Sequence, residues 1–209
     1  MSPVNLDTIQ SWINAGRLDP ARPITLRELA SSRAIHGVKE GVKLLARGST
    51  SLTSAMHLVV TRASRSAIAA VEALGGTVTT RFYTPLAIRR IKMQEMHPYI
   101  SLRWDQEKIA NPALAVPGAE ALEVRVKGAG YEYRLPDPTG RKDLEYYRDK
   151  ANNGYLSHTV REGASPSLYY KSEMEIEEGR KAKKEKKALE RQAGYSADAG
   201  LARDANKLW

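Results

Sequence analysis

The chain has 209 residues, with 33 Lys and Arg against 24 Asp and Glu, and a formal net charge of +9. That length is enough for one domain of ordinary size with appendages, or for two small domains. Cysteine is absent and no apolar run approaches the roughly 18 residues that cross a bilayer, which excludes a disulfide-stapled scaffold, thiolate metal sites, a cysteine nucleophile and a membrane-spanning helix.

The N-terminal third predicts short helices and a strand. Asn5 is of the residue type that caps a helix, here one running to about residue 15. Thr25 and Glu28 have the spacing of a capping box, which predicts a second short helix. A glycine-punctuated stretch then predicts a turn into a strand over 42–45.

The next segment has the clearest pattern in the chain. It predicts a strand over 57–60, a helix over 65–74 capped by Ser64, and a third strand over 77–83. Strand, helix and strand in so few residues predict a compact α/β unit in which the helix packs on the strands. No internal repeat is evident.

Farther along, Thr84 and Pro85 are of the N-cap and N1 residue types for a helix with interleaved basic and apolar positions. Two alternating runs, 122–127 and 131–135, predict a hairpin. Helical composition returns over 143–152.

The segment 171–192 is dominated by Glu, Lys and Arg. It cannot bury a face of its own, so three states stay open: a solvated helix, a disordered tail, or an arm lying on a large partner. The expected organisation is a core over 1–84, a basic helix and hairpin over 85–136, and a partly helical or extended C-terminal extension over 137–209.

Positive charge is concentrated in the first two-thirds of the chain: the net charge is +4 over 1–80, +3 over 81–136, 0 over 137–170 and +2 over 171–209. An anionic polymer or an acidic surface suits this distribution, because each fixed cation can displace a condensed counterion. A merely soluble basic protein is the alternative, and composition alone does not separate the two.

Motifs for catalysis are missing from the sequence. The four histidines are scattered, and no nucleophile elbow, dinucleotide fingerprint or phosphate-binding glycine loop is present. We therefore expect no catalytic residue, no metal and no cofactor, with an enzyme as the weakest alternative.

Cations give three candidate phosphate-binding patches. The first combines two guanidinium groups, a hydroxyl and the positive end of a helix. In the alternative interpretation, Ser64 only caps the helix and the two arginines are only solvent-exposed side chains. The three patches are Arg62, Ser64 and Arg65; Arg89, Arg90 and Lys92; and Arg33, Lys39, Lys43 and Arg47.

Three separated motifs carry a family resemblance. The run from His57 to Gly76 with the following Thr-Val-Thr, the segment from Val4 to Ile9 and the stretch from Gly37 to Leu45 together resemble the bacterial-type large-subunit ribosomal protein fifteen family. Further motifs resemble the mitochondrial branch of this family. They are Gly16-Arg-Leu-Asp-Pro20, Pro23-Ile-Thr25, and the pattern Leu135-Pro136, Tyr146-Tyr147 and Asn153-Gly-Tyr-Leu156.

The resemblance implies an α/β fold with a compact, irregular β-β-α superhelical core. It also implies a non-catalytic structural protein of the mitochondrial large ribosomal subunit, located in the matrix, with ribosomal RNA and neighbouring ribosomal proteins as partners and no cofactor. On this hypothesis the patches contact phosphates and sugars and recognise RNA by shape. An RNA-binding assembly factor and a protein-interaction adaptor are the alternatives.

Family members carry a long Gly/Arg/Lys-rich extension before this core, whereas the sequence here begins almost at the core. No targeting signal is visible between Met1 and Pro20. We expect the extension either to lie upstream of Met1 or to have been lost, and an import signal to lie upstream. The family's strongest RNA-contacting element is therefore assigned to no residue of this chain.

Overall fold

The computed structural model describes residues 1–101 and 133–205, with side chains at 1–99 and 133–189. Contacts within that part of the chain divide it into two units, one of residues 1–160 and one of the residues from 161 onward. All the strands described belong to the first unit, and a single long helix dominates the second.

Six short strands of the first unit form two parallel sheets, and successive strands alternate between them. One sheet joins β1 (Ser2–Asn5), β3 (Val42–Leu45) and β5 (Arg62–Ala63), and the other joins β2 (Ile24–Thr25), β4 (His57–Val60) and β6 (Thr77–Thr80). Because the chain crosses from one sheet to the other at each strand, it winds as a superhelix. The predicted α/β class and the β-β-α superhelical core are confirmed.

Helices follow four of these strands closely. The predicted capping box is present: the Thr25 hydroxyl accepts from the Arg27 amide, and the Glu28 carboxylate accepts from the Thr25 amide at 2.9 Å. The predicted helices are confirmed as α1 (Leu6–Asn14), α2 (Leu26–Ser31), α3 (Arg65–Glu72) and α4 (Pro85–Lys92). Their apolar faces meet in one core, whose fully buried members include Leu6, Ile9, Leu26, Leu29, Leu44, Leu58 and Ile88.

Several strands differ from the prediction. β1 and β2 were not expected, because they are too short to show a period of two. β6 ends at Thr80 rather than at 83, because the chain leaves the sheet there and buries Tyr83, whose hydroxyl donates to the Pro98 carbonyl. A further strand, β7 (Met96–Ser101), was missed because it contains a proline.

The predicted hairpin is only partly within the described residues. Its second strand is present as β8 (Tyr133–Leu135), and the partner of that strand in the structure is β7, in parallel pairing. The first predicted strand, 122–127, lies outside the described residues.

The structure shows an internal repeat that is not evident in the sequence. Residues 57–76 and 77–96 each form a strand and a helix, and every side chain in the first segment has the same burial class, buried, half-buried or exposed, as its counterpart in the second. Ser64 and Thr84 cap α3 and α4 in the same way. Only Ala67 and Ile68 recur as identical residues, so the repeat lies in burial rather than in residue identity.

The segment after residue 137 packs on the edge of the second sheet. Helix α5 (Arg141–Arg148) is followed by two single 3₁₀ turns, Lys150–Asn152 and Ser157–Thr159. Between the turns Gly154 forms a parallel bridge with Thr80, whose amide donates to the Asn153 carbonyl at 2.9 Å. A Cβ atom at Gly154 would collide with the backbone of Tyr147, so this position requires glycine.

The second unit contains helix α6 (Glu173–Ala205). Its start is set by a capping box, in which the Ser172 amide donates to the Glu175 carboxylate at 2.7 Å and the Glu175 amide donates to the Ser172 hydroxyl at 3.3 Å. The structure shows this segment as a helix whose described side chains from 177 to 189 are all exposed, which fits both a solvated helix and an arm lying on a large partner. No helix in the described ranges is both long and apolar enough to span a bilayer. The domain boundaries at 84 and 136 stay predictions.

Candidate nucleic-acid interface

The first predicted patch lies where β5 leads into α3. The Ser64 hydroxyl accepts a hydrogen bond from the Ala67 amide at 3.3 Å, so this side chain acts as the cap. The Arg62 Nη2 donates to Asp143 Oδ1 at 2.9 Å, and its guanidinium carbon lies 4.7 Å from the centroid of the Tyr146 ring. Arg62 is therefore engaged by α5.

Two tyrosines hold α5 against the strands. The Tyr147 hydroxyl donates to the Thr61 carbonyl at 3.0 Å, and the Tyr146 hydroxyl oxygen accepts from the Ala63 amide at 3.2 Å. Burial raises the pKa of both phenols, and more strongly that of Tyr147. Both therefore stay protonated at neutral pH, which keeps the Tyr147 hydroxyl available as a donor.

Strand pairing brings one residue of the third patch beside the first patch. Lys43 of β3 and Arg62 of β5 are register partners, which places both side chains on one face of the sheet. Neighbouring cations repel, and Asp143 supplies a compensating charge at Arg62. Arg65, three-quarters exposed, lies at the 4.0 Å limit of an ion pair with Asp149. The extension thus neutralises part of this surface.

The other residues of the third patch lie on separate elements. Arg33 follows α2 with a left-handed φ of +62°, and Lys39 lies in the loop before β3. Arg47 follows β3, and its Nε donates to Asp7 Oδ2 at 2.9 Å. Lost hydration raises the pKa of Asp7, but the hydrogen bonds and charge of Arg47 and the Thr8 amide outweigh it and lower that pKa below its ordinary value.

The second patch lies on the outer side of α4. Arg89 and Lys92 are exposed, and Arg90 is half-buried with its guanidinium carbon 3.5 Å from the centroid of the Tyr133 ring. Among the described residues no carboxylate forms an ion pair with any of the three. The equivalent positions of the preceding repeat are Ala69, Ala70 and Glu72.

These groups suit the recognition of phosphate. Exposed guanidinium and ammonium groups donate to phosphate oxygens without reading base sequence. In the ranges that the structure describes, no group of three or more His, Asp or Glu side chains could hold a metal ion.

Sequence reasoning missed the acids and tyrosines of α5. The available signal was the zero net charge of 137–170 in a chain of +9, which shows that this segment is richer in acids, relative to its bases, than the rest of the chain. The partner of Asp143 could not be found from sequence, because Arg62 lies 81 residues away along the chain.

Comparison with known proteins identifies the core. Residues 3–79 match a family of ribosomal proteins whose description names 50S-L15, 50S-L18e and their counterpart in the 60S subunit. The chain is also 44% identical over 173 residues to large ribosomal subunit protein uL15m of Neurospora crassa, covering 82% of this chain and 53% of that protein. The chain belongs to the uL15 family.

Other uL15 relatives separate the mitochondrial branch from the bacterial one. The uL15m protein of Schizosaccharomyces pombe is 30% identical over 169 residues, covering 80% of this chain and 52% of that protein. The uL15 protein of Methylorubrum populi is 43% identical over 89 residues, covering 43% of this chain and 52% of that protein. The resemblance to the mitochondrial branch is confirmed, and the chain spans about half the length of the curated relatives it matches.

The uL15 family match ends at residue 79, before α4 and α5 begin. The second repeat therefore continues the winding of the uL15 core past the matched region, and α5 packs beyond it. Two of the three predicted patches lie within the matched residues, and the patch on α4 lies outside them.

Proposed function

We propose that the chain is a structural constituent of the mitochondrial large ribosomal subunit. In this role it binds ribosomal RNA by phosphate and shape contacts, touches neighbouring ribosomal proteins and acts in the mitochondrial matrix without catalysing a reaction. Membership of the uL15 family and the names of the uL15m relatives support this proposal.

The observation that carries RNA binding is the contrast between two helices of equal burial. α3 and α4 expose the same positions, yet those of α4 hold Arg89 and Lys92 where α3 holds Ala69 and Glu72. Nothing in the packing requires cations there, since α3 packs without them. An exposed cation with no carboxylate partner is available to a phosphate.

Arg62 contributes less to RNA binding on this proposal than Arg89 and Lys92 do. Its Nη2 is already bonded to Asp143, and its side chain is about one-third exposed. Releasing it for a phosphate would break that ion pair. Ser64 is occupied as a helix cap, while Arg65, Lys43, Arg33 and Lys39 keep exposed charges that can add contacts.

The test replaces the cations of α4 in the full-length protein and follows its entry into large subunits. Arg89→Ala with Lys92→Ala removes two positive charges, and Ala69→Glu with Ala73→Glu changes the net charge by the same amount on α3 and its C-cap residue. Quantitative mass spectrometry across a density gradient, with and without ribonuclease, measures the ratio to other large-subunit proteins. We expect the α4 variant to be depleted from the subunit at least about threefold relative to the α3 variant.

Normal incorporation of both variants would contradict the assignment of the contacts to α4. A wild-type protein that sediments with the large subunit well below a one-to-one ratio would indicate an assembly factor. Association that survives ribonuclease would indicate a protein-interaction adaptor.

A further inference from the structure

Helix α6 carries a row of cations on one face. Arg180, Lys183, Lys184 and Lys187 follow the spacing of three, four and seven residues that aligns side chains along a helix, and all four are exposed. We call these four residues the basic stripe. At 1.5 Å per residue the stripe extends over roughly 10 Å of helix.

The opposite side of α6 has a different character. Glu178, Ala182 and Glu185 project there at helical spacing, flanked by the two cations Lys181 and Lys186. A helix built only for solubility distributes both signs around its surface so that acids and bases pair at four-residue spacing. Between 178 and 187 only Lys181 stands four residues from an acid of that stretch, Glu185, and none of the four stripe residues does.

Repulsion within the basic stripe destabilises α6 when nothing is bound. Arg180 and Lys184, and likewise Lys183 and Lys187, are like charges at four-residue spacing, which destabilises a helix. A row of negative charges placed along the stripe would remove this repulsion. The free helix is thus arranged to gain stability from a polyanion.

The absence of apolar anchors on the stripe favours nucleic acid over an acidic protein. Protein interfaces draw their affinity from buried aromatic and aliphatic side chains, and Ala182 is the only apolar residue between Arg180 and Lys187. Phosphate contacts need only charge and donors.

We propose that the basic stripe of α6 is an RNA-binding site that lies along a phosphodiester backbone, separate from the cations of α4. The proposal rests on the proposed RNA-binding function and adds to it a second site in the C-terminal unit. Because the deep groove of A-form RNA does not admit side chains for base reading, the stripe follows backbone shape and binds without sequence preference.

The test measures RNA affinity of the full chain against salt. Fluorescence anisotropy with a labelled RNA hairpin that has a single-stranded tail is run between about 50 and 200 mM KCl. The stripe variant changes Arg180, Lys183, Lys184 and Lys187 to Ala. The control changes four other exposed lysines to Ala: Lys142, Lys150, Lys171 and Lys186. Alanine favours helix, so circular dichroism should show α6 intact in both variants.

We expect the stripe variant to lower the slope of log affinity against log salt by about 3, since each lost phosphate contact removes roughly 0.7 to 0.9. The control should lower it by less than about 1. The helical signal of the wild type should also rise on adding RNA, and that of the stripe variant should rise less.

Equal slopes for the two variants, with RNA binding retained, would overturn the stripe and leave RNA binding by α4 standing. A wild type that binds no RNA at any salt concentration would overturn the proposed function and the stripe together. Competition by polyglutamate as effective as competition by unlabelled RNA of equal charge, abolished in the stripe variant, would overturn the stripe as an RNA site and indicate an acidic protein as its partner.

Discussion

The two successive repeats, 57–76 and 77–96, have the same pattern of burial but carry different charges on the exposed faces of their helices. α3 presents Ala69 and Glu72 where α4 presents Arg89 and Lys92. The buried faces of both helices are apolar, and Ile68 and Ile88 occupy equivalent buried positions. The fold therefore constrains the inner face strongly and leaves the outer face free to acquire a binding role.

The same comparison explains where the extension packs. Near α3 the cations of the surface meet acids of the extension, as Arg62 does with Asp143. The cations of α4 have no such acid among the described residues. The extension thus pairs with a cation beside α3, while Arg89 and Lys92 of α4 have no carboxylate partner in the described part of the chain.

If the two repeats belong to one cooperative core, removing equivalent side chains should cost the same. Ile68→Ala and Ile88→Ala each delete a side chain that is at least 95% buried, and we expect each to lower the free energy of unfolding by about 3 kcal/mol. Chemical denaturation measures this. Leu86→Ala, at an exposed position of α4, is the control and should change stability by less than about 0.5 kcal/mol. A loss below about 1 kcal/mol at Ile88 would mean that the second repeat is not part of the core.

Two histidines, one at the start of the first repeat and one directly after the second, give a test in pH. His57 is half-buried, with its Nδ1 2.8 Å from the Thr77 hydroxyl, whereas His97, forty residues on, is only 3% exposed and its Nδ1 accepts from the Tyr99 amide. Burial, together with the charges of Arg81, Arg27 and Arg134, lowers the pKa of His97 from 6.5 to about 4.

The unfolded chain therefore binds a proton at position 97 more readily than the folded chain does. Stability should fall as the pH drops from 6.5 towards 4, by up to about 3 kcal/mol, and this contribution should be fully present above pH 6.5. His97→Gln should flatten the dependence in this window when denaturation is measured at steps between pH 7 and 4. An unchanged slope in the variant would show that other groups cause the acid sensitivity.

The edge of the second repeat depends on one glycine. Gly154→Ala places a Cβ atom against the backbone of Tyr147, and we expect a loss of about 2 kcal/mol because α5 must shift. At Gly140 the nearest atom to an added Cβ is 3.8 Å away, so Gly140→Ala is the matched control and should be nearly neutral. Thermal unfolding of both variants measures the difference, and equal melting temperatures would contradict tight packing of the extension on β6.

Local signals were sufficient to predict the four helices of the core. Thr25 with Glu28, Ser64 and Thr84 identify helix starts because caps act within three residues of sequence. The repeat escaped notice because it shares only Ala67 and Ile68 with its second copy. Burial is set by apolar character at each position, and Val71 and Ile91 satisfy it equally well without being identical.

The candidate site was less predictable than the fold. Sequence identifies which residues are cationic, but exposure and pairing depend on contacts between distant segments. Arg62 and Arg89 look alike in sequence, and only the fold places Asp143 beside the first. That Arg89 has no carboxylate partner in the described part of the chain is likewise a property of the folded surface.

Breaking the ion pair between Arg62 and Asp143 should change the free energy of unfolding least of all these variants, the controls apart. The pair also distinguishes the two repeats, because no carboxylate pairs with the cations of α4 in the described part of the chain. Both side chains are more than a third exposed, so solvent screens their attraction and we expect a coupling energy of about 0.5 kcal/mol. A double-mutant cycle with Arg62→Met and Asp143→Asn, followed by chemical denaturation, isolates this term from the contact of Arg62 with Tyr146. Because the pair is weak, Asp143→Asn should leave the fold intact while freeing Arg62, and RNA affinity of the full chain should rise about twofold to threefold. An affinity that does not change would mean that Arg62 lies outside the RNA-facing surface even when unpaired, and that the surface near α3 serves only to hold the extension.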